Sequence, residues 1–143
     1  MRRYCVPLVD NVSQELRSFI MSRIKSKNTK PEIKIRRALH ERGIRYRIHD
    51  KSVMGKPDIS IKRSKVAVFL DGCFWHGCKK CYRVPKSNRS YWTDKMRKNQ
   101  QRRENVRSKL ISDGWKVLEY WEHEINKNPL FIARDIERFA RRV

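Results

Sequence analysis

The chain has 143 residues, and its 36 lysine and arginine residues outnumber 15 acidic residues, which gives a formal net charge of +21. The length predicts one domain over residues 1–143, and the absence of a long apolar stretch argues against a membrane-spanning protein. So large a positive charge favours a polyanionic partner such as nucleic acid, and leaves a solvated basic surface or binding to an acidic membrane as alternatives.

The first residues and the cysteines indicate the cellular compartment in which the protein works. Met1–Cys5 is positively charged, but no apolar run follows it, so we expect a cytoplasmic protein. Three of the four cysteines lie close together, at Cys73, Cys78 and Cys81. In a reducing compartment such a group indicates metal binding rather than disulfide bonds, and Cys5 is expected to take no part.

Two helices are predicted in the first third of the chain. No period is visible over residues 1–12, and residues 1–16 form an N-terminal extension of unknown role. A helical period runs from about Ser13 to Ile24. Thr29–Glu32 matches a capping box with proline in the first turn, and it predicts a second helix that ends at Gly43.

The remaining elements alternate between strand and helix patterns. Short strands are predicted at 44–48, 58–61 and 66–70, and the last of these is continuously apolar and therefore buried. A loop over 72–92 precedes a helix over 93–113, a strand over 115–121 and a last helix that starts at Pro129. This order predicts an α/β fold, with a mixed central sheet flanked by helices on both faces.

The clustered cysteines need a fourth partner to complete a tetrahedral zinc site. Two histidines are candidates, His76 inside the loop and His123 at the end of the last strand. His123 is the better candidate, because a ligand distant in sequence would tie the loop to the sheet and stabilise a small core. The alternative is a set of reduced thiols without a metal.

Two aspartates flank neighbouring predicted strands. Asp58 begins one strand and Asp71 follows the next, so antiparallel pairing would bring both carboxylates to one edge of the sheet. Magnesium prefers such oxygen ligands, and it can activate a water molecule against a phosphodiester. Aspartates at strand ends are also common turn formers, and spacing alone leaves that alternative open.

The chain also carries a set of short motifs: Met21–Ile24, Thr29–Glu32, Gly55–Asp58, Val68–Cys78, Tyr91–Trp92, Asn99, Gly114–Trp115 and Trp121–His123. Together they resemble the very-short-patch-repair (Vsr) mismatch endonucleases, over roughly residues 17–127. The resemblance implies a restriction-endonuclease-like core with a zinc-stabilised loop and magnesium-dependent hydrolysis. It also implies nicking of duplex DNA on the 5′ side of a thymine mispaired with guanine.

Roles for individual residues follow from the same resemblance. Asp58 is then the central metal-binding carboxylate, and His76 is the catalytic histidine near the scissile phosphate. Glu32 falls at a further acidic position of the active site, although the capping box already explains it. The family pattern leaves His76 free and gives zinc the ligands Cys73, Cys78, Cys81 and His123.

Four apolar residues match positions that enter DNA in this family. Phe74 and Trp75 lie between a zinc ligand and His76, and inserted rings could replace stacking that is weakened at a mismatch. Met21 and Ile24 match residues that enter from the opposite groove. All four could otherwise be core residues.

The chain departs from the family pattern within the site. Asp71 stands where the best-studied members have histidine, and Leu70 stands where they have threonine, so an aspartate could here contact magnesium directly. We therefore predict a monomeric, magnesium-dependent nuclease that nicks mismatched duplex DNA. The rivals are a restriction or repair nuclease with another substrate and a non-catalytic zinc DNA-binding module, in which Asp58 and His76 would have no purpose.

Overall fold

The computed structural model describes residues 13–23 and 27–142. Its helices are α1 (Gln14–Arg23), α2 (Lys30–Glu41), α3 (Arg89–Ser112), α4 (Glu122–Lys127) and α5 (Pro129–Ala140). Its strands are β1 (Arg47–Ile48), β2 (Ile59–Ile61), β3 (Val66–Asp71) and β4 (Lys116–Trp121). No helix among the described residues has the length and apolar character needed to span a bilayer.

The strands form one four-stranded mixed sheet in the order β1-β2-β3-β4. The pairs β1/β2 and β2/β3 are antiparallel, whereas β3 and β4 run parallel. Strand β3 lies between two neighbours and is buried almost throughout, as its continuous apolar run predicts. The prediction of a mixed central sheet is confirmed.

Helices cover both faces of this sheet, as the element order predicts. On one face, α2 and α5 pack onto β2 and β3 through a cluster of buried side chains that includes Ile35, Leu39, Ile59, Val68, Ile132 and Ile136. On the other face, Leu110 of α3 packs against Ala67 and Phe69. Each large apolar side chain contributes about 1.5 to 3 kcal/mol by leaving water. The two clusters fix β3, and with it the residues that follow β3.

Helix α2 begins and ends where its local sequence indicates. The Thr29 hydroxyl oxygen accepts a hydrogen bond from the Glu32 amide at 3.5 Å. The Glu32 carboxylate accepts from the amide of Asn28 at 3.0 Å, so the reciprocal bond of the capping box falls one residue earlier than predicted. Gly43 takes the left-handed conformation that ends the helix, with φ of 71°. Glu32 is thereby held at the start of α2.

The structure differs from the sequence-based elements in three places. Helix α4 was not predicted, because a six-residue helix with Ile125 as its one buried side chain shows no period. The predicted strand over 44–48 shortens to two paired residues, since β2 offers only three partners. Helix α3 begins at Arg89, four residues before its predicted start. Ile24 lies outside the described residues, and the structure does not describe the side chain of Met21.

Candidate active site and metal centre

Three cysteines and one histidine converge beside the end of β3. The ligand atoms of Cys73, Cys78, Cys81 and His123 all lie within 4.8 Å of one another. The Nδ1 atom of His123 is 3.2, 3.6 and 3.5 Å from the three sulfur atoms in that order. Ligands on one tetrahedral zinc ion would be about 3.5 Å apart, given bonds of about 2.3 Å to sulfur and 2.0 Å to nitrogen. This group could hold a metal, and its donor set is the kind that zinc prefers.

The backbone of the loop places these ligands. Cys73 follows β3 and accepts a hydrogen bond from the Cys78 amide at 2.9 Å, while His123 stands in the first turn of α4. Gly77 permits the turn between them, with φ of 68°. A Cβ atom there would lie 2.7 Å from the sulfur of Met96, so a larger residue would also have to displace that side chain of α3. His76 lies outside the group of ligands.

A second group with metal-binding atoms lies at the start of β2. Glu32, His49 and Asp58 each offer a ligand atom within 4.8 Å of the others. Asp58 accepts a hydrogen bond from the Leu70 amide through Oδ2 at 2.7 Å, and its Oδ1 faces His49 Nδ1 at 3.9 Å. The sequence predicted Asp58 and Glu32 for this site, but it gave no role to His49.

Asp71 was predicted as a magnesium ligand, but in the structure its side chain contacts Arg103 and His76. Its Oδ1 atom pairs with Nη2 of Arg103, and the same oxygen lies 3.7 Å from Nε2 of His76. Asp71 and Asp58 are close enough for the charge of Asp71 to raise the pKa of Asp58. The two aspartates therefore meet at one sheet edge, as antiparallel pairing predicts, but an arginine holds one of them.

Of the three acidic residues at the site, Glu32, Asp58 and Asp71, two have an arginine partner among the described residues and one does not. Glu32 pairs with Arg36 at 2.7 Å, and Asp71 pairs with Arg103. Within residues 13–23 and 27–142, no lysine or arginine forms an ion pair with Asp58. A buried carboxylate without a cation is costly, so Asp58 is the position at which a bound cation would be most strongly stabilised.

Three pKa values in this site depart from their ordinary range, and burial raises that of Asp71 although the charge of Arg103 opposes the shift. Burial raises the pKa of Asp58 to about 6, and the charges of Glu32 and Asp71 act in the same direction. Burial lowers the pKa of His76 to about 4, with further contributions from Arg103 and Arg102. At neutral pH the His76 imidazole is therefore neutral and able to accept a proton.

The two aromatic residues of the loop differ in accessibility. Phe74 is 4% exposed, and its ring packs edge-on against Trp75 and Trp92 at centroid distances of 5.1 and 5.3 Å. Trp75 is half-buried, and its carbonyl oxygen accepts a hydrogen bond from Asn99 of α3. Of the two predicted DNA-entering residues, Trp75 is therefore the accessible one.

An open cleft of about 460 Å³ lies between the cysteine loop, α3 and the end of β4. Its lining includes Asp71, His76 and Arg103, together with the basic side chains of Lys79 and Lys80. The sequence did not single out Arg103, because arginine and lysine are so abundant in this chain that composition gives no sign of which one is ion-paired inside it; Arg36 follows Glu32 by one helical turn, a spacing that favours an ion pair. From the sequence, only the acidic partners of these arginines, Asp71 and Glu32, were candidate site residues.

Comparison with known proteins defines the class. The family model described as DNA mismatch endonuclease Vsr matches residues 9–83. The type II nicking enzyme V.NmeAIP of Neisseria meningitidis serogroup A is 40% identical over 138 residues, which are 95% of this chain and 97% of that protein. The DNA mismatch endonuclease Vsr of Escherichia coli K12 is 32% identical over 117 residues, which are 80% of this chain and 74% of that protein.

A further relative, the type II nicking enzyme V.NaeI of Lentzea aerocolonigenes, is 44% identical over 113 residues, or 76% of this chain and 68% of that protein. These similarities identify the chain as a DNA endonuclease. More specifically, it belongs to the Vsr family of DNA mismatch endonucleases.

Proposed function

We propose that this protein is a magnesium-dependent endonuclease that nicks one strand of duplex DNA on the 5′ side of a thymine mispaired with guanine, and so starts very short patch repair. Family membership supports the reaction class. The observation that carries the chemistry is Asp58, a largely buried carboxylate that has no lysine or arginine partner among the described residues and lies beside Glu32 and His49, in a chain of net charge +21. Duplex DNA supplies the polyanion, and a divalent cation neutralises Asp58.

Asp58 and Glu32 would hold the magnesium ion through carboxylate oxygens, and Glu32 would use Oε1 because Arg36 already pairs with Oε2. The Oδ1 atom of Asp58 is suited to this, because Oδ2 already accepts from the Leu70 amide. When bound, magnesium polarises the phosphodiester and lowers the pKa of the attacking water. The predicted ligation by Asp71 would require that residue to exchange Arg103 for the metal.

His76 would act as the proton acceptor. Its depressed pKa keeps the ring neutral near pH 7, and Nε2 is the atom on the side of Asp71. The water oxygen bonds to phosphorus, its proton passes to Nε2, and the bond from phosphorus to one bridging oxygen breaks. The leaving oxygen takes a proton from solvent.

Zinc would be the structural metal, held by the three cysteines and His123. The chain has a thin core for its size, and a zinc ion at this place connects the loop that carries His76 to β3 and α4. Because that loop also carries Trp75, one metal would fix both a catalytic side chain and a DNA-entering ring. The sheet order is compatible with a restriction-endonuclease-like core, and we expect a monomer.

A panel of duplexes tests the proposal. Purified protein with magnesium is incubated with end-labelled duplexes that differ only in one base pair, T:G against T:A, and each product is mapped at nucleotide resolution. We expect a single nick 5′ to the mispaired thymine and none in the matched duplex. Equal cleavage of both duplexes would refute the mismatch preference, and no cleavage of any duplex in any of several flanking sequences would refute the activity.

A second candidate is a nicking enzyme with another sequence or structural target. It is favoured by several relatives whose names describe type II nicking enzymes rather than mismatch endonucleases. The same panel decides between the two when T:G pairs are placed in several flanking sequences. Nicking that follows the flanking sequence and ignores the mismatch would support this second candidate.

A further inference from the structure

Arg103 is a basic residue of α3 to which the mechanism above assigns no task. Its Nη2 donates to Asp71 Oδ1, and the guanidinium carbon lies 4.0 Å from the centre of the Phe69 ring. The side chain is 19% exposed, whereas the arginines at 97 and 107 of the same helix are 67% and 50% exposed. Arg103 is therefore held in one orientation from two sides.

The contact to Asp71 uses only part of the hydrogen-bonding capacity of the guanidinium. Arginine has five N–H donors in a rigid plane, and that geometry matches two oxygens of a phosphate. Among residues 13–23 and 27–142, Asp71 is the one hydrogen-bond partner found for Arg103. The side chain also lines the cleft that contains His76. The remaining donors are thus available to a group bound in the cleft beside His76.

The same geometry bears on the predicted magnesium ligation by Asp71. The oxygen that accepts from Arg103 also faces His76 at 3.7 Å, so a metal ion on that oxygen would sit against a guanidinium. The metal ion and the guanidinium of Arg103 are both positively charged and would repel each other. The partly buried site would screen this repulsion poorly. Asp58 meets no such obstacle.

We propose that Arg103 is a catalytic residue whose guanidinium contacts a non-bridging oxygen of the reacting phosphate, and that Asp71 positions this guanidinium and is not a ligand of the divalent metal. This proposal rests on the proposed function. In the transition state of hydrolysis the non-bridging oxygens gain negative charge, and a donor fixed in advance stabilises that charge without reorganisation. The packing of the guanidinium on the Phe69 ring and its hydrogen bond to Asp71 hold Arg103 in this orientation.

Single-turnover nicking of the duplex that the parent cleaves provides the first test. We expect Arg103→Met to lower the rate at saturating enzyme by about 10²- to 10³-fold, the usual cost of one such donor. Arg103→Lys should recover only part of the rate, because lysine cannot reproduce the planar fork. Arg107→Met is the matched control, since Arg107 lies one turn along α3 and pairs with Glu104 and Glu119 instead. It should keep the parental rate.

Two measurements separate catalysis from mere folding. Guanidinium ion added to Arg103→Ala should restore part of the rate, compared with sodium chloride at the same ionic strength, which a structural role would not allow. The variant Arg103→Met/Asp71→Asn removes both charges together and avoids a lone buried carboxylate. If Asp71 acts through Arg103, the double variant should nick no more slowly than Arg103→Met alone.

Metal binding gives a readout that needs no nicking. Calorimetric titration with manganese should give the same affinity for the parent and for Asp71→Asn, whereas Asp58→Asn should abolish binding. A loss with Asp71→Asn as complete as that with Asp58→Asn, and beyond the roughly 10- to 100-fold cost of removing an outer partner of a metal, would make Asp71 a ligand and overturn the proposal.

A parental rate in folded Arg103→Met would also overturn it while leaving the proposed function intact. Failure of the parent to nick any duplex would instead refute the proposed function, and this proposal with it.

Discussion

The cysteine loop and the carboxylate site lie side by side, but they are built in opposite ways. Three of the four ligands of the possible zinc site are cysteines from one stretch of the chain, 73–81. Such a cluster of cysteines has few explanations other than metal binding. The carboxylate site takes Glu32 from α2, Asp58 from the start of β2 and Asp71 from the end of β3. A local group keeps its geometry through covalent spacing, whereas a dispersed group needs the sheet to be formed first. The loop should therefore depend on its metal, and the carboxylate site on the fold.

The largest effect is expected from loss of the loop metal. Elemental analysis should find about one zinc per chain, and Cys78→Ser or His123→Ala should lose it, because the apparent binding energy of such sites is roughly 10 kcal/mol or more. The melting temperature should fall steeply. His76→Ala serves as the control, since His76 lies outside the ligand group and should keep zinc while losing activity. Full zinc content in the His123→Ala protein would show that the four-ligand assignment is wrong.

The next effect concerns Asp58 and leaves the loop untouched. Asp58→Ala should slow nicking by about 10³-fold or more, since the lost stabilisation amounts to several kcal/mol and each 1.4 kcal/mol is about a factor of ten. Binding of duplex DNA should stay the same or tighten, because a negative charge near phosphate is removed. Parallel measurement of the nicking rate and of the dissociation constant checks both. A mutant that nicks near the parental rate contradicts the role of Asp58.

The ionised side chain of Asp58 should lower the free energy of unfolding of the metal-free protein, so a stability measurement tests how strongly the carboxylate site depends on its metal. The pKa of Asp58 is about 6 in the folded protein and has an ordinary value of 3.8. The folded state therefore binds the proton more tightly, so this contribution is fully present below about pH 4 and is lost as the pH rises through about 6. The loss is on the order of 3 kcal/mol.

Asp58→Asn cannot ionise at this position, so without divalent metal it should be more stable than the parent at pH 7 and similar at pH 4. Denaturant unfolding at both pH values measures the difference, and magnesium should raise the stability of the parent alone. A variant that is less stable at pH 7 would show that the charge of Asp58 is already compensated.

The smallest effect falls on selectivity. Trp75→Ala should forfeit about 1 to 3 kcal/mol of ring stacking on mismatched DNA, and it should leave matched duplex nearly unchanged. Nicking and binding of T:G and T:A duplexes by folded protein measure this difference. If Trp75 is instead a core residue, both substrates suffer alike and the melting temperature falls. Phe74 is deeply packed, so Phe74→Ala should mainly reduce stability.

The sequence by itself determined the features that depend on neighbours in the chain. The spacing of Cys73, Cys78 and Cys81 indicated a metal-binding loop, and the Thr29 cap and Gly43 bounded α2 correctly. The apolar run of β3 showed that this strand is buried. The motifs around Asp58 and His76 led to the right family. In each case the physical cause, a turn, a cap or a period, acts over a few residues.

The tertiary structure alone decided which charges meet. Glu32 was explained by a helix cap, yet it also lies 3.4 Å from His49, which comes from outside α2. Asp71 was expected beside a metal, and it pairs with Arg103 from a helix more than 30 residues away. Ion pairs need only proximity in space, and a chain rich in arginine offers many possible partners for each carboxylate. Which arginine is buried beside which acid depends on how α2 and α3 pack on the sheet, and no local pattern encodes that.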